Sequence, residues 1–132
     1  MRRFIPLSLM LLVALPGVAL ASRPAVAPAA VAEITARDDA PILLDVRTPE
    51  EFAQGHLPGA VLIPHDQLAA RLDEIDRDRW VLVYCRSGKR ASTAQDILEE
   101  AGIEVRQIEG SWLRWQEEGR PVDVPATSED AR

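Results

Sequence analysis

Runs of aliphatic residues alternate with amphipathic stretches along most of this chain. Four runs are short enough to be strands, and they occupy residues 42–46, 60–63, 80–84 and 103–108. The third run is apolar throughout, as expected for a strand that helices cover on both faces. Between the runs, apolar residues recur every three or four positions, which indicates helices. Strands that alternate with helices predict an α/β fold, with a small parallel β-sheet flanked by helices.

Local signals predict where several helices begin and end. Thr48 is the expected N-cap of one helix, because Pro49 follows it and Glu51 stands three residues after it. Gly55 is expected to end that helix. Asp66 is expected to cap the next helix. The apolar face of that second helix is predicted to contain Leu68, Leu72 and Ile75. Two further helices are predicted at about residues 89–101 and 111–118.

The first 21 residues have the pattern of a secretory signal peptide. A basic start at Arg2 and Arg3 precedes an apolar stretch, and Ala19 and Ala21 form a small-x-small cleavage pattern. An uncleaved membrane anchor is the alternative, but two prolines and a serine make this stretch marginal for the ~20 apolar residues that a span needs. We therefore expect cleavage after Ala21 and a protein that is periplasmic or secreted.

Composition divides the mature chain into three parts. Residues 22–31 are rich in alanine and proline and predict a flexible leader. One domain is expected over residues 32–122, followed by a polar tail at 123–132. A single cysteine allows no internal disulfide, so this domain must fold on its apolar core alone.

The charge balance limits the partners that this protein can have. The whole chain has a formal net charge of −6, and residues 1–21 contain two arginines and no acidic residue, so the mature chain carries −8. An acidic protein of this kind is not expected to bind nucleic acid or an anionic membrane. We predict no metal and no cofactor, and we expect a monomer.

Cys85 is the only cysteine, and it begins a strongly cationic loop. It follows the third predicted strand, and ligands of parallel sheets bind at the carboxyl ends of the strands. Arg86, Lys89 and Arg90 bring positive charge, and a helix is predicted to start near Lys89; both features stabilise a thiolate. Gly88 lets the backbone turn with a positive φ. A buried, inert cysteine is the alternative, which the flanking charge disfavours. The pattern predicts a nucleophile beside a site for a small anion.

Four ordered motifs resemble the successive signatures of the rhodanese family. They are LDVRTPEEF at residues 44–52, GHLPGA at 55–60 with Ile63 and Pro64, CRSGKR at 85–90, and EGS at 109–111 with Trp115. They cover about residues 32–122, and with the signal peptide they look like a single-domain periplasmic thiosulfate sulfurtransferase. The resemblance implies a three-layer α/β/α fold and a double displacement. In that reaction Cys85 takes the sulfane sulfur of a donor such as thiosulfate, becomes a persulfide, and passes the sulfur to cyanide or a thiol.

The loop residues have distinct expected roles in such a reaction. Cys85 is the catalytic nucleophile, and the backbone amides of residues 86–90 would hold the transferred sulfur. The predicted substrate-binding residues are Arg86, Ser87, Gly88, Lys89 and Arg90. Arg86 and Lys89 are expected to hold the sulfonate end of the donor, and Arg90 to close the loop by turning inward. The alternative for Arg90 is an ordinary solvated arginine at a helix start.

Polar and aromatic residues elsewhere in the motifs have less direct expected roles. Asp45 and Arg47 end the first strand, so they should approach the rim near Cys85. A structural role, such as an ion pair or support of the loop, is favoured over the alternative of a direct role in catalysis. His56 belongs to a turn and His65 to a helix entry, so neither is expected to be a catalytic base. The aromatic residues expected in the core and the pocket wall are Trp112 and Trp115.

Three features depart from the family pattern. The segment before Ile42 is short, so the usual opening strand and helix are expected to be reduced or missing. Ala91 stands where a serine often follows the loop arginine. Ser111 replaces the second glycine of a common Gly-Gly pair. None of these departures touches the nucleophile.

Two other functions share parts of this pattern. Cysteine phosphatases of the dual-specificity kind, and arsenate reductases of that fold, resemble C-x5-R, whereas Cys85 and Arg90 form C-x4-R. One residue fewer predicts a tighter cradle, which suits a single sulfur atom better than a phosphoryl group. The other possibility is a non-catalytic persulfide carrier that delivers sulfur to a partner protein, and the sequence does not separate a carrier from an enzyme.

Overall fold

Four short parallel strands form one sheet at the centre of the protein. The computed structural model describes residues 22–125, and the strands are Ile42–Asp45 (β1), Val61–Leu62 (β2), Val81–Tyr84 (β3) and Val105–Gln107 (β4). They lie in the order β2-β1-β3-β4, and every neighbouring pair is parallel. The predicted α/β fold is confirmed, and each strand is one to three residues shorter than its apolar run.

Helices cover both faces of this sheet. The helices of the fold are Pro28–Thr35 (α1), Pro49–Gln54 (α2), Lys89–Glu100 (α3) and Ser111–Glu117 (α4), with a 3₁₀ helix at Leu68–Glu74, and all but α2 contribute buried side chains to the core. Side chains of α3 and the 3₁₀ helix pack on the face that contains Leu44 and Val83. Side chains of α1 and α4 pack on the opposite face, with Leu43 and Leu82. Because neighbouring strand residues point to opposite faces, these strands support a three-layer α/β/α arrangement.

The start of α2 follows the predicted capping box. Glu51 N donates to Thr48 Oγ1 at 3.2 Å, and Glu51 Oε1 accepts from Thr48 N at 3.2 Å. Pro49 is the first helical residue and Gly55 follows the last one, as predicted. No residue of α2 is fully buried, and the capping box satisfies backbone groups of its first turn.

The segment after Asp66 differs from the predicted helix. It forms a 3₁₀ helix that begins after Gln67, and Asp66 does not cap it. Gln67 N donates to the Pro64 carbonyl at 2.9 Å, so a turn precedes the helix and moves its start by one residue. Arg71 interrupts the helix, with a φ of −121° and a ψ of 20°. Leu68 is nevertheless fully buried, because the first turn still faces the core.

The prediction of a flexible leader over residues 22–31 is wrong from Val26 onward. Val26 N donates to the Gln107 carbonyl and Glu109 N donates to the Val26 carbonyl, both at 2.8 Å. Helix α1 follows, with Pro28 at its start, where proline is favoured. The alanine-rich composition conceals a few apolar side chains that reach the core. These side chains are Val26, Val31 and Ile34.

The expected reduction of the segment before Ile42 is partial. Helix α1 supplies an opening helix of eight residues, while the opening strand is reduced to a single parallel bridge between Val26 and Ile108. No helix within residues 22–125 is both long and apolar enough to cross a membrane. The predicted signal peptide at residues 1–21, and residues 126–132 of the tail, lie outside the described part of the chain.

Candidate active site

Cys85 lies directly after β3, at the carboxyl edge of the sheet, and begins a tight loop that leads into α3. The residue is 1% exposed, and its Sγ accepts a hydrogen bond from Gly88 N at 3.0 Å. Gly88 has a φ of 110°, a backbone conformation in which a side chain would be strained. An amide aimed at sulfur favours a thiolate or a persulfide anion, because negatively charged sulfur is the stronger acceptor.

Elements on both sides hold this loop by its carbonyl groups. The Gly88 carbonyl accepts from Ser92 N at 2.9 Å and from Ser92 Oγ at 3.0 Å, both in α3. The Cys85 carbonyl accepts from Trp112 N at 2.9 Å, in the first turn of α4. The position of the sulfur is therefore set by the packing of two helices against the sheet.

The three cationic side chains of the loop differ in exposure and in ion pairing. Arg86 and Lys89 are exposed at the rim, and neither forms an ion pair with any residue in 22–125. Arg90 instead binds Glu51 of α2, with Nη1 2.6 Å from Oε1 and Nη2 3.0 Å from Oε2. These hydrogen bonds are the main reason that the pKa of Glu51 falls to about 2. The inward turn expected of Arg90 thus ends on a carboxylate of this chain.

Asp45 and Arg47 form a buried ion pair at the same edge of the sheet. Arg47 Nη2 lies 2.7 Å from Asp45 Oδ2, and Arg47 Nε lies 3.0 Å from each carboxylate oxygen. Arg47 Nη2 also donates to the Gly55 carbonyl at 2.7 Å. The guanidinium carbon lies 4.3 Å from the ring centroid of Trp112. The ion pair that the sequence suggested is present, and it joins β1, the end of α2 and α4.

The histidines are engaged away from the sulfur. His56 stacks on Phe52 with ring centroids 3.7 Å apart, and its Nδ1 lies 3.0 Å from the Phe52 carbonyl oxygen. His65 contributes its backbone N to a 3.0 Å hydrogen bond with the Val46 carbonyl. Within residues 22–125, no hydrogen bond joins a histidine ring to Cys85. The hydrogen bonds of this part of the chain therefore do not include a Cys–His pair.

Two of the cavities formed by the described residues border the loop. The larger, of about 520 Å³, is lined by Ser87 and Gly88 of the loop and by polar residues of α3 and β4 such as Gln107. The smaller, of about 210 Å³, is lined by Arg86 and Trp112 among others. The predicted core tryptophans, Trp112 and Trp115, are 8% and 4% exposed. Trp112 is thus both a core residue and a pocket wall, as expected.

Sequence reasoning missed the contacts that two residues make with this site. The sequence indicates only a helix cap for Glu51, and in the structure Glu51 also binds Arg90. Ser111 was noted only as a departure from the family pattern, yet its Oγ accepts a hydrogen bond from Cys85 N at 3.3 Å. The signal available for Glu51 was an acidic cap in a protein with a cationic loop. No comparable signal existed for Ser111. Residues 22–125 contain no group of three or more acidic, histidine or cysteine side chains placed to hold a metal ion.

The fold and the site together define a three-layer α/β domain with a single cysteine in a loop at the carboxyl edge of its sheet. The rhodanese-like domain family matches residues 27–118, and this chain therefore belongs to the rhodanese family.

Individual relatives are consistent with this membership. A sulfurtransferase of Allochromatium vinosum is 39% identical over 85 residues, which are 64% of this chain and 79% of that protein. The HTH-type transcriptional regulator Rv0324 of Mycobacterium tuberculosis is 43% identical over 86 residues, which are 64% of this chain but 38% of that protein. The crystal structure of a rhodanese-related protein from Thermoplasma volcanium has a TM-score of 0.71 at 29% identity, and the match covers 78% of this chain and 100% of that one.

Proposed function

We propose that this protein is a sulfurtransferase, in which Cys85 carries a sulfane sulfur from thiosulfate or a similar anionic donor to cyanide or a thiol. The observation that carries the proposal is the 3.0 Å hydrogen bond from Gly88 N to Cys85 Sγ, inside a C-x4-R loop. Membership of the rhodanese family and the relative named as a sulfurtransferase support the class of reaction.

In the first half-reaction the Cys85 thiolate attacks the outer sulfur of thiosulfate. A sulfur–sulfur bond forms on the enzyme, the sulfur–sulfur bond of the donor breaks, and sulfite leaves with the electron pair. Arg86 and Lys89 attract the doubly negative donor to a protein whose net charge would otherwise repel it. The loop amides then stabilise the negative persulfide sulfur.

In the second half-reaction a nucleophilic acceptor attacks the outer sulfur of the persulfide. Cyanide takes that sulfur as thiocyanate, the sulfur–sulfur bond breaks, and Cys85 regains its electron pair as a thiolate. The chain has no second cysteine that could form a disulfide with Cys85. The persulfide is therefore discharged onto a separate molecule.

The alternative of a cysteine phosphatase or arsenate reductase receives less support. Such enzymes need the loop arginine to hold a tetrahedral oxyanion, and here both terminal nitrogens of Arg90 bind Glu51. The shorter C-x4-R spacing points the same way. A carrier that delivers sulfur to a partner protein uses the same Cys85 persulfide, so only turnover separates it from an enzyme.

We also propose that the protein works in the periplasm or outside the cell, after removal of residues 1–21. The proposal rests on the basic start, the apolar stretch and the Ala19-x-Ala21 pattern.

The proposed function is tested by the intact mass of the exported protein before and after thiosulfate. We expect a mass increase of one sulfur atom, its removal by cyanide, and release of thiocyanate in equal amount. Cys85→Ser, the matched control, should take up no sulfur because a hydroxyl is a far weaker nucleophile. The same spectrum shows whether the chain begins at Ser22.

Other outcomes have definite meanings. Sulfur loading without discharge to cyanide or to small thiols would indicate a carrier. Hydrolysis of an aryl phosphate without any sulfur loading would overturn the proposal in favour of a phosphatase.

A further inference from the structure

Ser111 has an unusual backbone for a residue with a side chain. Its φ is 51°, and it is the only non-glycine residue within 22–125 that has a positive φ. A left-handed conformation is unfavourable for a residue with a Cβ atom, and glycine would adopt it without that cost. Ser111 is also 1% exposed, so its hydroxyl is not there to meet solvent. Such strain persists where the surroundings require it.

The hydroxyl of Ser111 contacts the backbone of the nucleophile. Cys85 N donates to Ser111 Oγ at 3.3 Å. The next residue, Trp112, donates its backbone N to the Cys85 carbonyl at 2.9 Å, and Leu113 N donates to the Arg86 carbonyl at 3.1 Å. The turn that opens α4 therefore holds both polar backbone groups of Cys85 and one of its neighbour.

The orientation of the Cys85 backbone determines where its sulfur lies. The Cys85 side chain is a single methylene and a sulfur, so a tilt of the backbone moves Sγ directly. Sγ must remain within hydrogen-bond distance of Gly88 N, at 3.0 Å, for the amide to stabilise negative sulfur. A contact that fixes Cys85 N thereby also fixes this geometry.

We propose that Ser111 is a positioning residue, whose hydroxyl holds the Cys85 backbone so that the sulfur faces the loop amides. The left-handed backbone places the Ser111 hydroxyl within hydrogen-bond distance of Cys85 N. Glycine has no hydroxyl and could not make this contact. The effect on sulfur transfer rests on the proposed function, whereas the effect on thiol ionisation does not.

Ser111→Gly separates this role from a merely structural one. Glycine removes the strain of the left-handed backbone but, like alanine, leaves Cys85 N unpartnered; the two effects oppose each other, so the melting temperature should stay close to that of the wild type. Sulfur loading from thiosulfate should nevertheless slow by about tenfold, the loss that one buried hydrogen bond can produce. The midpoint of the pH profile for alkylation by iodoacetamide should move to higher pH, because a displaced thiolate loses part of the Gly88 hydrogen bond.

Two further variants complete the test. Ser111→Ala should slow sulfur loading and move the alkylation midpoint in the same way, but with a lower melting temperature than Ser111→Gly, since alanine also loses the hydrogen bond and keeps the strain of the left-handed backbone. Thr93→Ala removes an exposed hydroxyl from α3 and should change neither rate nor midpoint.

The outcomes distinguish this inference from the proposed function. If the wild type takes up no sulfur, the proposed function fails, and the alkylation profiles still decide the role of Ser111. If Ser111→Gly shows the wild-type alkylation midpoint and, where sulfur loads, the wild-type loading rate, Ser111 is not a positioning residue.

Discussion

The Glu51 carboxylate takes part in two sets of contacts, a helix cap and an ion pair. Its carboxylate accepts from Thr48 N at the start of α2 and from the guanidinium of Arg90 at the start of α3. The Arg90 hydrogen bonds outweigh the opposing effect of burial and, with the Thr48 contacts, lower the pKa of Glu51 from an ordinary 4.5 to about 2. The folded protein therefore favours the ionised form of Glu51.

Glu51→Gln should remove stability that depends on pH. A pKa lowered by folding contributes stability that is complete above about pH 4.5 and is lost as the pH falls toward about 2. We expect the variant to lose about 1 kcal/mol of unfolding free energy at pH 7, a modest value because the pair is partly solvent-exposed. The loss should be smaller near pH 3. Urea unfolding at both pH values measures it.

Glutamine keeps the side-chain acceptor for Thr48 N, so the capping box survives in this variant. The control is Glu50→Gln, an exposed carboxylate in the same helical turn, which should not reproduce the pH dependence. A destabilisation by Glu51→Gln that is equally large in acid would contradict the assigned role.

At the residue scale, the sequence predicts which side chains could react better than it predicts which distant residues they contact. The position of Cys85, and the glycine that lets Gly88 N reach its sulfur, follow from spacing within six residues. The partner of Arg90 does not, because Glu51 is 39 positions away and only the fold brings the two together. The contact between Ser111 and Cys85 is missed for the same reason.

At the scale of elements, the Asp45–Arg47 pair connects three parts of the fold. Asp45 ends β1, Arg47 follows it, and the Arg47 guanidinium reaches the Gly55 carbonyl after α2 and the face of Trp112 in α4. The two side chains are 0% and 2% exposed. Neither charge therefore has water as an alternative partner.

Asp45→Asn should strongly destabilise the fold. It leaves the Arg47 charge buried without its counter-ion, and breaking one side of a buried pair typically costs about 3–5 kcal/mol. Glu33→Gln is the control, because it breaks an exposed ion pair with Arg37 and should cost little. Urea unfolding of both variants measures the difference. Similar losses of unfolding free energy would show that the buried ion pair contributes no more to stability than the exposed one.

The elements themselves were predictable where local signals and apolar periodicity agree. All four strands, the capped start of α2 and the extent of α3 correspond to their predictions within a few residues. The 3₁₀ helix was predicted as α-helical, because three apolar residues at three- and four-residue spacing suit either helix when the segment is short. Composition conceals helix α1, because alanine is frequent in this segment and only Pro28, Val31 and Ile34 of the helix are buried.

At the scale of the whole molecule, the segment before β1 covers part of the edge of the sheet next to β4. Val26 pairs with the chain on either side of Ile108, and its side chain joins the core that α1 and α4 cover. The edge of β4 is consequently not left open along its whole length, which limits pairing with other chains.

Val26→Asp should show that this segment is structural. An unpaired carboxylate placed in the core is expected to cost at least about 2 kcal/mol and to lower the melting temperature. Val124→Asp is the matched control, because Val124 is 62% exposed. Thermal unfolding compares the two variants. Equal melting temperatures would mean that residues near Val26 do not pack in solution.

The burial of β3 has a consequence for the time scale on which Cys85 moves. Each of its four residues is 0% exposed, and the strand lies between β1 and β4. Backbone amides in such a strand exchange with solvent only through openings that approach global unfolding. Cys85 directly follows this buried strand, while exposed side chains reorient within nanoseconds. The backbone that carries the sulfur thus stays in place while the exposed side chains of Arg86 and Lys89 change conformation many times.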